Sequence, residues 1–212
     1  MEYKKGDFNW STIYNYRKEI RKFYPSVYKL KIKKKLLDII VEEIHDGATL
    51  LDVGASSHKL KENIQRIKPE VNYKTMDIDR SQDHDYYDLN SITESFDLII
   101  LSEVIEHIEF KEGISLLRKL LKLLKSRGKI IITTPNIHHP NRYWWDADHR
   151  TPYRYDVIGA SVLSAGFSVD KIVRIYNDQF IMRACHMYFA SCIHKFFDID
   201  FAKSIAVVAH KT

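Results

Sequence analysis

Three side chains within five residues of one another could act together. Glu103, Glu106 and His107 have the i, i+3 and i+4 spacing that places side chains on one face of a helical turn. Two carboxylates and an imidazole directed at one point could hold a divalent cation such as Mg²⁺ or Mn²⁺. The same residue types could instead shape a pocket without binding a metal ion, and the sequence leaves both interpretations open.

A second set of residues could bind a nucleotide-like ligand. Asp52 and Gly54 follow a short apolar run, and a glycine there lets the backbone turn sharply and approach a ligand. Asp77 ends the next apolar run, where an acid can bind ribose hydroxyls, and Asp79 is its alternative. Asp88 could accept a hydrogen bond from an adenine amino group, or it could be an ordinary loop acid.

These polar residues follow apolar runs that alternate with helical patterns. The alternation predicts an α/β fold with a mostly parallel sheet and helices on both of its faces. Ligands of such sheets bind beyond the carboxyl ends of the strands, which is where the polar residues fall. Strands are predicted at 49–54, 73–78, 96–102, 129–134, 168–176 and 205–210, and helices at 59–67, 111–125 and 155–165, the last two closed by Gly128 and Gly166.

The N-terminal segment is basic and has helical spacing. Apolar residues over 11–45 recur at loosely helical intervals, and Pro25 divides the segment into two predicted helices. Residues 1–35 contain eleven Lys or Arg and three acids, whereas the whole chain carries a net charge of +5. Such a segment could contact an anionic partner, nucleic acid included, or it could be a solvated helical face beside the core.

Length and composition fit one domain, which we expect at 46–212 behind a helical extension at 1–45. An apolar insertion at about 178–203 could cover the sheet or dock a second subunit, so a homodimer is conceivable. No apolar run is long enough for a membrane span. Cys185 and Cys192 would be too far apart on a helix for a disulfide, which favours a reducing, cytoplasmic location.

An aromatic and histidine-rich segment follows the fourth predicted strand. It begins at Pro135-Asn136, at the edge of the sheet where a ligand is expected. Its aromatic faces could contact a bound sugar or base, or they could pack on one another as a small satellite core. The side chains are His138, His139, Tyr143, Trp144, Trp145, His149 and Tyr153.

Five short motifs follow one another in an order that is typical of one protein family. In chain order they are LLDVGAS, MDID, DLN, SFDLIILSEVIEHI and LLKSRGKIIITTPN. Their order resembles the class I S-adenosylmethionine-dependent methyltransferase superfamily over about residues 48–176. The resemblance implies a Rossmann-like fold with a mostly parallel seven-stranded sheet, and S-adenosylmethionine as cofactor.

The same resemblance assigns cofactor contacts to individual residues. Asp52 and Gly54 would lie beside the methionine part, with Ser56 and Glu103 also in contact with the cofactor. Asp77 would bind the ribose and Asp88 would approach the adenine. Two residues depart from the family's glycine-rich motif, since Ser56 and His58 stand where later glycines are usual.

The spacing Glu103-x-x-Glu106-His107 resembles two groups of metal-assisted methyltransferases. One group methylates catechols in ubiquinone biosynthesis, and the other methylates the terminal ribose 2′-hydroxyl of small RNAs with a further downstream histidine. His149 would fill that place here, which makes Glu103, Glu106, His107 and His149 the candidate metal ligands.

The predicted function is O-methylation of a small molecule or a glycan. Because the sulfonium methyl is already activated, the protein must align the acceptor and receive its proton, and His107 or His149 could act as the base. The alternatives are metal-assisted ribose 2′-O-methylation of RNA and a non-catalytic binding or scaffold protein that retains the fold.

Overall fold

The computed structural model describes residues 9–177 and 196–212, which form one twisted seven-stranded sheet with helices on both faces. The strand order is β1-β6-β7-β5-β4-β2-β3, and only β7 is antiparallel to its neighbours β5 and β6. The α/β fold expected from the resemblance is therefore confirmed. The strands are β1 Lys31–Lys33, β2 Thr49–Val53, β3 Asn72–Met76, β4 Phe96–Ser102, β5 Leu124–Pro135, β6 Phe167–Ile175 and β7 Ser204–Lys211.

Two apolar layers hold the helices on the sheet. Consecutive strand residues point to opposite faces, so Leu51 and Ile99 enter one layer while Leu50 and Ile100 enter the other. The first layer packs under α1, α4 and α5, and the second packs under α2 and α3. The helices are α1 Trp10–Phe23, α2 Leu36–Glu43, α3 Lys59–Ile67, α4 Phe110–Leu123 and α5 Tyr155–Ala165.

The first strand lies where the sequence predicted helix. Within 11–45 the two expected helices are present, but Lys31–Lys33 between them pairs in parallel with β6 and forms the seventh strand of the sheet. The helical prediction is wrong at these residues. Three residues are too few to show a period of two, and the strand is defined by its pairing with distant residues.

Of the two predicted C-terminal helix ends, one agrees with the structure and the other does not. Helix α5 stops at Gly166, as predicted, because that glycine adopts a left-handed φ of +103° and its N–H bonds back to the last turn. Helix α4 ends at Leu123, five residues before Gly128, because Leu124 already pairs with Phe96 of β4. The prediction that Gly128 closes this helix is wrong.

The N-terminal helix is fixed to the domain by ion pairs. Asp156, fully buried at the start of α5, accepts from the guanidinium groups of Arg17 and Arg21 at 3.2 and 2.6 Å. Lys22 pairs with Glu19, and Lys33 pairs with Glu42. Four of the eleven basic residues of this segment are therefore paired with acids of the protein.

The apolar insertion predicted at about 178–203 falls mostly on residues 178–195, which lie outside the described part of the chain. Its role and the homodimer stay predictions. None of the helices described in residues 9–177 and 196–212 combines the length and apolar character needed to cross a bilayer.

Candidate active site

A cleft of about 580 Å³ opens at the carboxyl ends of β2, β4 and β5. This is the edge at which parallel sheets bind ligands. Helices α2 and α3 line one part of it, and Arg142 of the loop after β5 lines another. The lining residues are Lys35, Leu36, Leu37, Asp52, Gly54, Ala55, Ser56, Ser57, Lys59, Leu60, Asn63, Ser102, Glu103, Thr133, Arg142, Ile175, Asn177 and Ser204.

Gly54 forms the sharp turn at the end of β2. Its φ is +75°, a region that L-residues with a Cβ rarely adopt. A Cβ at this position would overlap the side chain of Val104. The Gly54 N–H also donates to the carbonyl of Met76 at 2.8 Å, which ties the turn to the neighbouring strand. A residue with a side chain does not fit here without a shift of Val104. The backbone of the turn itself lines the cleft.

Ser56 occupies a left-handed position where the family usually has a second glycine. Its φ is +48°, and its N–H donates to the Asp77 carboxylate at 2.8 Å. The other Asp77 oxygen accepts from the N–H of Asp79 at 3.0 Å. Asp77 thus holds the loop in shape, and its carboxylate keeps further lone pairs for a ligand. Binding of a ribose by Asp77 stays a prediction.

Asp52 is a buried acid that faces the cleft. Tyr73 donates its hydroxyl hydrogen to one carboxylate oxygen of Asp52 at 2.7 Å. Burial raises the pKa of Asp52 to about 6, and the nearby Asp77 acts in the same direction. Burial removes water from the Asp52 carboxylate, so a cationic ligand group that donates a hydrogen bond to it would stabilise its charge. The predicted contact of Asp52 with the methionine part of the cofactor stays a prediction.

Asp88 lies elsewhere. It is exposed and is absent from the residues that line the cleft. Its carboxylate caps the short 3₁₀ helix Leu89–Ser91 by accepting from the N–H of Asn90 at 2.9 Å. The structure therefore gives Asp88 a local role, and its predicted contact with adenine stays a prediction.

Glu103 follows β4 in a left-handed conformation with φ +53°. Its N–H donates to the carbonyl of Thr133 at 3.1 Å, which fixes the turn against β5. Arg142 donates to one carboxylate oxygen at 3.3 Å, while the other oxygen is buried without a hydrogen bond. Strained residues of this kind concentrate at functional sites. Arg142 was not among the predicted site residues, because only the folded chain places it beside Glu103.

Glu106, His107 and His149 converge near Glu103, and none of the three is among the residues that line the cleft. Their candidate ligand atoms all lie within 4.8 Å of one another. Glu106 and His107 belong to a short 3₁₀ helix, Ile105–His107, rather than to an α-helical turn. Glu103, before that helix, is paired with Arg142 instead. The structure thus brings together three of the four predicted metal ligands.

One of the two imidazoles, that of His149, has a defined hydrogen-bonding role, whereas Nδ1 of His107 makes no hydrogen bond to the described residues. Nδ1 of His149 lies 2.6 Å from the carbonyl oxygen of Tyr143, so it carries a proton and donates it. Nε2 of His149 therefore keeps its lone pair, free for a proton or a metal ion. The His107 ring lies 4.8 Å from the His149 ring, and its Nδ1 is 3.5 Å from an Asp148 carboxylate oxygen.

The loop between β5 and α5 is only partly packed. Tyr143 and Tyr153 are buried, whereas Trp144 and Trp145 are 79% and 66% exposed, and the Trp145 ring lies near the cleft-lining Arg142. The loop starts from Asn136, whose side-chain amide donates to the buried Asp200 at 2.7 Å. Asn136 thus anchors the loop, while the two tryptophans remain available to a ligand.

Glu106 is fully buried, and neither of its carboxylate oxygens makes a hydrogen bond. Burial, reinforced by the charge of Glu103, raises the pKa of Glu106 to about 8. The folded protein therefore holds this proton more tightly than the unfolded chain, in which the pKa of a glutamate is about 4.3. Stability due to the neutral acid is present at low pH and is lost as the pH rises through 8.

We expect the free energy of unfolding in the presence of a chelator to fall by about 2 kcal/mol between pH 6 and 8 because of this residue. Replacement of the carboxyl by an amide, Glu106→Gln, should remove that part of the fall. Urea unfolding at both pH values measures it, with the exposed Glu70→Gln as control. Parallel pH dependence of the wild type and Glu106→Gln would contradict a raised pKa.

Comparisons with known proteins agree with this geometry. A family model described as a methyltransferase domain matches residues 20–171. No curated protein sequence matches significantly. Among solved structures, an S-adenosylmethionine-dependent methyltransferase from Archaeoglobus fulgidus is similar over 94% of each chain, with 15% identity and a TM-score of 0.61.

Two further structures show how widely the fold is used. The N-methyltransferase NodS from Bradyrhizobium japonicum WM9, solved with S-adenosylhomocysteine, has 13% identity and a TM-score of 0.52 over 77% of this chain and 78% of its own. The cyclopropane synthase MmaA2 from Mycobacterium tuberculosis has 12% identity and a TM-score of 0.58 over 82% of both chains. Identities this low show a shared fold and leave the acceptor open.

The family match covers more than two thirds of the chain, from α1 into β6, and includes the Gly54 turn and the Glu106 cluster. The protein therefore belongs to the methyltransferase domain family and is a class I S-adenosylmethionine-dependent methyltransferase.

Proposed function

We propose that this enzyme transfers the methyl group of S-adenosylmethionine to a hydroxyl of a small molecule or a glycan. The observation that carries the proposal is the imidazole pair, with the lone pair of His149 Nε2 kept free by the Tyr143 carbonyl. A hydroxyl must lose its proton as its oxygen attacks, whereas a neutral amine can attack before losing one. A base fixed in this way, on the segment that follows the cleft-lining Glu103, therefore favours an oxygen acceptor.

For the transfer itself, the protein mainly has to align the acceptor with the methyl group, because the sulfonium already activates that group. The acceptor oxygen forms a bond to the methyl carbon, the carbon–sulfur bond breaks, and its electron pair returns to sulfur as a neutral thioether. The acceptor proton passes to His149 Nε2 or to His107. The Gly54 turn and Asp52 would hold the methionine part of the cofactor.

The same cluster fits a divalent metal ion. The Glu106 oxygens have no hydrogen bond, and His149 Nε2 has a free lone pair, so these atoms and His107 would be the ligands. Two imidazoles and one carboxylate suit Mn²⁺ better than Mg²⁺, which prefers oxygen ligands. A bound metal ion would lower the pKa of an acceptor hydroxyl.

Ribose methylation of RNA is the second candidate, and the metal-ligand cluster is the observation that favours it. The basic N-terminal segment favours it less, because Arg17, Arg21, Lys22 and Lys33 are already paired with acids. Binding of a short RNA with a steep dependence on salt would support this candidate.

Calorimetric titration tests the cofactor and the metal ion together. We expect S-adenosylhomocysteine to bind at micromolar concentration, as the folded Gly54 turn implies. We expect Mn²⁺ to bind as well, and His149→Gln to weaken it by at least about tenfold. The exposed His45→Gln is the matched control. Absence of S-adenosylhomocysteine binding would refute the function, while absence of Mn²⁺ binding would leave the histidine pair as a metal-free base.

A further inference from the structure

The cleft carries more positive than negative charge. Lys35, Lys59 and Arg142 line it, against the carboxyl groups of Asp52 and Glu103. Both acids are engaged, Asp52 with the Tyr73 hydroxyl and Glu103 with Arg142. Among the acids that the structure describes, none forms an ion pair with Lys35 or Lys59.

The cofactor adds to this imbalance. S-adenosylmethionine contains a sulfonium, an ammonium and one carboxylate, so it brings a net charge of +1 into the cleft. Its single carboxylate can neutralise one of the lining cations. Once the cofactor is bound, the remaining cations create a positive field that attracts an anionic second substrate.

Arg142 is placed to receive such an anion. It lies on the loop that bears Trp144 and Trp145, lines the same cleft as Gly54, and has its guanidinium 5.8 Å from the centroid of the Trp145 ring. The guanidinium makes one long hydrogen bond to Glu103, at 3.3 Å, and its Nε is buried without a partner. An arginine has five N–H donors, so Nε and one terminal nitrogen can bind two oxygens of an anion side by side.

We propose that the methyl acceptor carries a carboxylate or phosphate group, and that Arg142 binds this group and so selects the acceptor. This inference rests on the proposed function, since it names the class of hydroxyl compound that enters the cleft. The anion satisfies the buried Nε of Arg142 and competes with the Glu103 carboxylate for the guanidinium. Uncharged hydroxyl compounds of the same shape are disfavoured because at best they accept a single neutral hydrogen bond, which is weaker than a bidentate, charge-assisted pair.

Paired probes test this in protein saturated with S-adenosylhomocysteine. Calorimetry compares 4-hydroxybenzoate with 4-hydroxybenzamide, and phenyl phosphate with phenol. In the wild type we expect at least one anion to bind about tenfold or more tightly than its uncharged counterpart. Arg142→Gln should abolish that preference, and Lys119→Gln, which removes the same charge from an exposed site on α4, should keep it.

The results distinguish a carboxylate acceptor from a phosphorylated one, and they can also overturn the proposal. A preference for the benzoate identifies a carboxylate acceptor, and a preference for phenyl phosphate identifies a phosphorylated one. Equal binding of charged and uncharged probes, no binding of any probe, or a preference that survives Arg142→Gln overturns the proposal. So does a single-stranded RNA that binds far more tightly than the small anions and independently of Arg142. Normal S-adenosylhomocysteine affinity throughout shows that such a failure concerns Arg142 and not the methyltransferase function.

Discussion

The double substitution His107→Gln and His149→Gln should lower the rate of methyl transfer to a hydroxyl acceptor by about 100-fold to 10,000-fold, the range that a positioned base contributes. Glutamine keeps a hydrogen-bonding side chain of similar length but cannot take a proton. His149 Nε2 is the atom with a lone pair to spare, because Nδ1 donates to the Tyr143 carbonyl. The single substitution His149→Gln should therefore cause most of the loss.

Single-turnover transfer of a labelled methyl group, with any acceptor that the wild type uses, measures this effect. The affinity for S-adenosylhomocysteine should change little, which separates a lost base from a collapsed cleft. His45→Gln, at an exposed position, should leave the rate unchanged. Undiminished turnover in the double variant would exclude both imidazoles as bases.

The second large effect is expected at the turn after β2. Gly54→Ala should lower the free energy of unfolding by about 2–4 kcal/mol, because a residue with a Cβ is strained at φ +75° and its methyl group overlaps Val104. A shift of the turn to relieve that overlap displaces backbone that lines the cleft. We therefore expect S-adenosylhomocysteine to bind at least about 100-fold more weakly, as loss of a near-contact backbone surface implies.

Two variants separate strain from overlap. Gly47 has a similar φ of +72° but open space around its Cβ position, so Gly47→Ala should cost only the conformational part, about 1–2 kcal/mol. Combining Gly54→Ala with Val104→Ala should restore part of the stability by making room for the methyl group. Chemical unfolding and calorimetry provide both readouts. Equal losses for Gly54→Ala and Gly47→Ala would show that Val104 is not the obstacle.

The sequence predicted those features that depend on the conformational preferences of neighbouring residues. The Asp52–Gly54 turn is readable because an apolar run ends in a residue that can adopt positive φ. The end of α5 at Gly166 is readable for the same reason. The mostly parallel seven-stranded sheet was expected from the alternation of strands and helices together with the family resemblance, whereas the strand order and the antiparallel β7 were not predicted.

The rest depended on residues that meet only in the fold. Lys31–Lys33 became a strand because β6 offers it a partner more than a hundred residues away. Glu103 left the expected metal cluster because its left-handed φ and the 3₁₀ geometry that follows turn it toward Arg142. Helical spacing cannot reveal either feature, since one is a distant pairing and the other departs from the assumed period.

The position of β7 has a consequence for how the protein is made. Because Ser204–Lys211 is inserted between β5 and β6, the two parts of the sheet cannot join until those residues have left the ribosome. The residues between Ile175 and Ser204 take roughly one to six seconds to synthesise at about 5–20 residues per second. During that time β5 and β6 each present an unpaired, apolar edge, which is the kind of surface that nascent-chain chaperones cover and that aggregates when they do not.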